Sequence, residues 1–128
     1  MSQNKYIYFF FCIFIQLQIC TSILAQDKRV DSLLALLKTD KEDTNKIKHL
    51  NSLALEFRNN NPDTAIRFAK QALALSEKMD FQSGIAESYL WLGTALTNLG
   101  KYGDALSDLS RGLDACNGIG DNYIPNSR

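Results

Sequence analysis

From Val30 onward the apolar residues recur at the spacing of a helix, and Pro62, Gly84, Gly100 and the cluster Asn117-Gly118-Ile119-Gly120 interrupt the pattern. The spacing predicts five helices and no strands. The first runs from about Lys28 to Lys38, with Val30, Leu33, Leu34 and Leu37 on one face at i, i+3, i+4 and i+7. The second covers about Asp43 to Asn59. Asn61 is placed to cap the third, Pro62 to occupy its first position, where a missing N–H costs nothing, and Asp63 to complement its positive end. That third helix shows a face of Ala65, Ile66, Ala69, Ala72, Leu73, Ser76 and Met79, small enough for close helix contact. A fourth helix follows Gly84, from about Ile85 to Leu99. Gly100 ends it as a left-handed residue, and a fifth runs from Tyr102 or Gly103 to about Cys116. Connections this short make successive helices antiparallel neighbours, so the expected fold is all-α and built of helical hairpins.

The first 25 residues are of another kind. Lys5 is their one charge, Tyr6 to Ile15 is an unbroken apolar run, and Gln16 and Gln18 follow it. A ten-residue apolar core is about half of the ~20 residues that span a bilayer. The pattern is that of an export signal, with Ala25 as its last residue. The alternative is an uncleaved anchor in the inner membrane, with Leu17, Ile19, Ile23 and Leu24 extending the run. Lipidation at Cys20 is disfavoured because Leu17-Gln18-Ile19 puts no small residue before it.

Removal of residues 1–25 takes Cys12 and Cys20 with it and leaves Cys116 alone, so the mature domain has no internal disulfide to rely on. Its stability must come from packing. The chain holds 14 Lys plus Arg and 14 Asp plus Glu in 128 residues, dispersed without blocks of one sign. That argues against a nucleic-acid partner. A chain of this length builds one small domain.

The chain also repeats. Leu50 to Phe57 aligns on Tyr89 to Leu96 at a shift of 39, and Ala65-Ile66 and Ala72-Leu73 align on Ala105-Leu106 and Gly112-Leu113 at a shift of 40. Such a period means stacked helix pairs. The second unit carries Tyr89, Leu92, Gly93 and Leu96 on its first helix, then Gly100, Tyr102, Ala105, Leu109 and Gly112-Leu113 on its turn and second helix. The first carries Leu50, Leu53, Ala54 and Phe57, then Ala65, Phe68 and Ala72-Leu73. In these residues the chain resembles the tetratricopeptide repeat (TPR) family. Three features depart from the pattern: Trp91 lies two places after the usual Trp, Asn117 stands where a Pro is common, and the period exceeds 34.

The resemblance implies a short right-handed α-solenoid. The expected layout is a signal at 1–25, a helix and linker at 26–45, two repeats within 46–120 (about 46–82 and 85–118), and at 121–128 a tail or the start of a truncated third repeat. Gly93 and Ala105 are expected to let the helices of the second unit approach, with Tyr89, Leu92, Leu96, Tyr102 and Leu109 filling the space around them.

Little in the sequence points to catalysis. His49 has no second ligand at metal spacing, Cys116 is foremost a small hydrophobe, and Asp104 with Asp108 reads as a solvated face near a helix start. No enzyme, cofactor or metal is expected. The resemblance implies instead a protein or peptide partner bound on the concave side, lined by Lys48, Asn51, Leu55, Arg58 and Asn59 of one unit and Glu87, Leu90, Thr94, Thr97 and Asn98 of the other. The Lys and Asn clamp that some members use to grip a terminal carboxylate is not matched, since Asn51 and Leu55 occupy its positions.

Two alternatives stay open. Exported repeats that begin this way resemble the N-terminal sensory parts of bacterial histidine kinases and regulators, which would make the chain a truncated leading piece, with a membrane contact through its signal or a missing C-terminal segment. Otherwise Leu106, Leu109 and Leu113, left uncapped on the fifth helix, pair with a second copy in a self-associating structural protein. The expected location is outside the cytoplasm, in the periplasm.

Overall fold

In a computed structural model, described for residues 3–121, the chain is all helical: α1 (Gln3–Thr39), α2 (Thr44–Phe57), α3 (Pro62–Lys78), α4 (Gln82–Asn98) and α5 (Tyr102–Asp121). The expectation for 121–128 falls, from residue 122 on, outside the described residues. The chain divides into two units, residues 1–32 and 33–128.

In the first unit, Tyr6, Phe9, Phe10, Phe11 and Phe14 are all exposed, so the apolar run is apolar all round and is not packed into a core. Helix α1 is far longer than the expected stretch from Lys28 to Lys38. The reason is compositional: between residues 3 and 39 there is no glycine or proline to break it. Among the described residues no helix is long and apolar enough to cross a membrane.

The second unit is a stack of hairpins in which α2 packs on α3, α3 on α4, α4 on α5, and α2 also on α4. Its helix starts are set by side chains. The Asp43 carboxylate accepts from the Asn45 and Lys46 amides at 2.9 and 3.1 Å, and Asn61 Oδ1 accepts from the Thr64 amide at 3.1 Å, with Pro62 in the first helical position. Asp43 is thus a cap rather than the first residue of α2.

The helix ends are set by left-handed residues. Gly100 has φ +73°, and the Lys101 amide reaches back to the Leu96 carbonyl at 2.9 Å. The end of α3 uses the same device with a residue that favours it less, Asp80 at φ 52°, while the Phe81 amide returns to the Ser76 carbonyl at 2.9 Å. Helix α4 then starts at Gln82, earlier than expected, because Gly84 is a packing residue inside its first turn. Helix α5 continues through Asn117, Gly118, Ile119 and Gly120 and does not stop at Cys116.

The core is built largely of alanine. Ala54, Ala65, Ala69, Ala72 and Ala95 are completely buried, and Ile47, Leu50 and Leu53 are the largest apolar side chains enclosed with them. Leu37, Phe68 and Phe81 close over Ile47, Leu50, Ala72 and Leu75, while Phe57 stacks on Phe68 at 5.9 Å between centroids. At the α4/α5 crossing, a Cβ on Gly93 would lie 2.4 Å from Leu109 Cγ and 3.1 Å from the Ala105 carbonyl, so glycine there is what brings the helices together. Tyr102, expected to fill space at this crossing, is exposed instead, because it opens α5 on the far side of its first turn.

A surface pair joins the start of the second unit to α3. Lys78 Nζ donates to Glu42 Oε2 at 2.7 Å. The hydrogen bond and charge of Lys78, helped by Lys46, hold the Glu42 carboxyl below its ordinary value, and Glu42 raises Lys78 in return. Glu42 therefore contributes above its unfolded pKa and loses that contribution as pH falls through the folded one. For Lys78 the contribution is lost as pH rises through its raised pKa. Both groups are open to solvent, so salt should weaken the pair. An NMR titration of Glu42 is expected to give a midpoint below the usual carboxylate range that moves up in Lys78→Ala. An unchanged midpoint would mean the pair is not formed in solution.

Candidate functional site

The first helices of the two repeats, α2 and α4, face one another along a seam that starts from local chemistry. Arg58 follows the end of α2, and its Nη1 donates to the Leu55 carbonyl at 2.8 Å, which fixes the guanidinium near one of the helix's last carbonyls. So placed, it lies 5.8 Å from the ring centroid of Trp91 on α4, within cation–π range. Trp91 Nε1 points at Glu87 Oε1 one turn earlier, 3.4 Å away, at the long limit of a hydrogen bond. At the other end of the seam, Asn98 Nδ2 donates to the Arg58 carbonyl at 2.7 Å and to Asn59 Oδ1 at 3.2 Å. The result is a half-open strip of one acid, one indole, one guanidinium and two amides.

The ten residues expected on this face do not act as one set. Arg58, Asn59, Glu87 and Asn98 are linked through Trp91 and the hydrogen bonds above, and the side chains of Lys48, Leu55, Thr94 and Thr97 on the same two helices are half-buried or exposed. The Thr94 and Thr97 hydroxyls donate back to the carbonyls of Leu90 and Gly93 at 2.8 Å, which leaves their methyl groups for outside contacts. Asn51 is different: it is 0% exposed, and its amide lies 3.0 Å from Ser88 Oγ on α4. It belongs to the interior between repeats, because α4 covers it.

The Asn51 and Ser88 pair also has a proton to account for. Ser88 has one hydroxyl proton and lies 2.7 Å from the Gly84 carbonyl as well as 3.0 Å from Asn51 Oδ1, while Asn51 Nδ2 has no partner. Turning the amide over lets Ser88 give its proton to Gly84 and accept one from Nδ2, which satisfies the donor.

Leu90 is not on the seam either. With Glu87, which the seam shares, it lines an apolar cavity of about 450 Å³ between α4 and α5, together with Ser83, Ala86, Leu109, Gly112, Leu113 and Cys116. Of the signature residues, Ala54, Ala65, Ala72, Leu92, Gly93 and Ala105 are buried, Tyr89 and Leu109 flank the crossing, Gly100 makes the turn and Tyr102 is exposed.

Trp91 was not among the expected face residues. The signal was there, since it is the one tryptophan of the chain and stands off the usual register, two places along the helix and so on another side of it. His49 turns out to be a packed residue. Its Nδ1 lies 2.6 Å from Asp40 Oδ2, in a half-buried pair that ties the α1/α2 connection to α2. Among the described residues no group of three or more His, Cys, Asp or Glu side chains is placed to hold a metal ion.

Residues 22–111 of the chain match a family model described as the SusR N-terminal TPR domain. Comparison with curated proteins and with solved structures gives no match.

Proposed function

Starting from the fact that this chain belongs to the family of SusR N-terminal TPR domains, we propose that it binds a protein or peptide segment along the seam between α2 and α4. TPR domains are in general non-catalytic modules that mediate protein–protein interaction. What supports the seam as the binding surface here is the Trp91, Arg58 and Glu87 cluster. It offers an indole and a fixed guanidinium, two of the three side-chain types enriched at interface hot spots, half-open to solvent on an otherwise alanine-packed scaffold. Asn59 and Asn98 supply polar groups beside it, and Lys48, Leu55, Thr94 and Thr97 add accessible polar groups and one apolar group on the same helices. The chemistry that fits is a segment carrying an acidic group for Arg58 and an apolar side chain for the indole face.

Because Trp91 is the sole tryptophan, its fluorescence reports on this surface alone. Titration of the full chain with an array of acidic, apolar-anchored peptides is expected to shift Trp91 emission for a subset of them. Arg58→Ala should weaken those peptides by about tenfold or more, as hot-spot truncations do. Peptides that bind with equal affinity to the wild type and to Arg58→Ala would move the binding surface elsewhere.

The leader is read with it. The unpacked apolar run at Tyr6 to Ile15 supports export from the cytoplasm to the periplasm with cleavage after Ala25. N-terminal sequencing of the protein recovered from the producing cell is expected to begin at Gln26. A start at Met1 would make the segment an anchor.

A further inference from the structure

A cavity of about 460 Å³ opens between α3 and α5 over Ile66, Leu92 and Leu96. It shares no residue with the α2/α4 seam, and helices of both repeats wall it. The repeat itself shows how the space arises. Moved back by the repeat shifts of 39 and 40, Leu96 falls on Phe57 and Asp108 on Phe68. In the first repeat those two rings stack at 5.9 Å, and Phe68 packs against the core. In the second repeat a leucine and a carboxylate take their places, and both line the cavity. A stacked aromatic pair has gone and a charge has entered.

That charge lacks partners. Asp104 is exposed, as expected of this face, but the Asp108 side chain is only 21% exposed. Among the described residues no hydrogen bond reaches its carboxylate, and its ionic neighbour is Arg111, 4.0 Å away at the limit of an ion pair. Carboxylates so far removed from water are ordinarily paired or hydrogen-bonded. Arg111 is 62% exposed and keeps its donors for other contacts. The other charged groups of the lining are Asp63, Asp104, Lys70 and Lys101, so acids and bases balance. A ligand of one sign gains little from a neutral lining, whereas one that carries both signs satisfies Asp108 and Arg111 together.

We propose that this cavity is a small-molecule site, separate from the seam, and that it takes a free aromatic α-amino acid as its zwitterion. The ammonium donates to Asp108, the carboxylate accepts from Arg111, and the ring lies on Leu92 and Leu96, where the first repeat supplies a phenyl group of its own. An α-amino acid carries both charges on one carbon, which suits an acid and a base at i and i+3 on α5. The volume lies in the range of small-ligand pockets.

The test follows the methyl NMR signals of Ile66, Leu92 and Leu96 in the full chain while phenylalanine, phenethylamine or phenylpropionate is added to about 10 mM. Phenylalanine is expected to shift these methyls saturably. The two analogues, each lacking one charge, should bind about tenfold more weakly or worse, and Asp108→Asn should cost phenylalanine a similar factor. Asp108→Phe restores the residue of the first repeat and should abolish the shifts, with circular dichroism showing that the helices and their melting are kept. Where that variant fails to fold, Asp108→Asn decides alone. No shift at the highest concentration, an analogue that binds as well as phenylalanine, or shifts undiminished in Asp108→Asn would each overturn the proposal. So would phenylalanine that changes Trp91 emission and none of the three methyls, since it would then sit on the seam.

Discussion

Replacing Ile47 by alanine is expected to cost about 3–5 kcal/mol of unfolding free energy, the upper part of the range for truncating a buried aliphatic side chain. Ile47 is completely buried among Leu50, Ala72 and Leu75, with Leu37, Phe68 and Phe81 packed over that cluster. Its Cγ2 lies 3.0 Å from where a Cβ on Gly84 would stand, so it supports the first turn of α4 as well as its own repeat. The cost belongs at the high end because two of the neighbouring residues, Ala72 and Gly84, are an alanine and a glycine. Such residues have no rotamers with which to move into the void, and a cavity that cannot collapse keeps its full penalty. Chemical denaturation followed by far-UV circular dichroism measures it, with Leu113→Ala as the comparison. Leu113 is 62% exposed and should change stability by no more than about 0.5 kcal/mol. A cost below about 1 kcal/mol at Ile47 would mean that the first repeat unfolds independently of the rest.

How much of this was legible in the sequence depends on whether a feature is local. The Asn61 and Pro62 start of α3 and the left-handed Gly100 are written into four or five adjacent residues, and both stand as read. The small-residue faces are legible for the same reason, since helical period alone puts Ala65, Ala69 and Ala72 together. The end of α3 was not, because Asp80 adopts a conformation that composition assigns to glycine. Gly84 misled in the opposite sense. A glycine near a helix start reads as punctuation, and its actual work, making room for Ser76 and Ile47, depends on residues on α3 and α2.

The candidate site was legible only in outline, and the misses have one cause. Position in the repeat assigns Asn51 to an open face, but Ser88, 37 residues later, lies against it. The same position in the second repeat, Leu90, is exposed because the described residues place no further helix over it. Burial at this position is thus a property of the neighbouring repeat and not of the residue. Trp91 was passed over because it stands two places off the family's register, and the Arg58 that meets it lies on another helix. The pairing of His49 with Asp40 likewise needed the fold of the α1/α2 connection.

The α4/α5 crossing gives the second large effect, and here adding a side chain should have opposite signs at two glycines. Gly93→Val is expected to cost about 2–3 kcal/mol by overpacking. Its Cβ would stand 2.4 and 2.7 Å from Leu109 Cγ and Cδ2, and 3.1 Å from the backbone carbonyl of Ala105. Leu109 is 37% exposed and has room to turn outward, which relieves the first two contacts at the expense of the packing it provides. The carbonyl has no such freedom, since it belongs to the first turns of α5, and a branched side chain reaches it whichever rotamer it takes. The helices must then separate, and Gly112, which sits 3.1 Å from Tyr89 Cβ by the same measure, loses its contact too. At Gly103 a Cβ would meet nothing within 4 Å, so Gly103→Ala should raise stability by a few tenths of a kcal/mol through helix propensity alone. Thermal melts of the two variants beside the wild type decide it. A Gly93→Val protein that melts with the wild type would show that the crossing does not depend on glycine, and that α5 is held to α4 only by its apolar face.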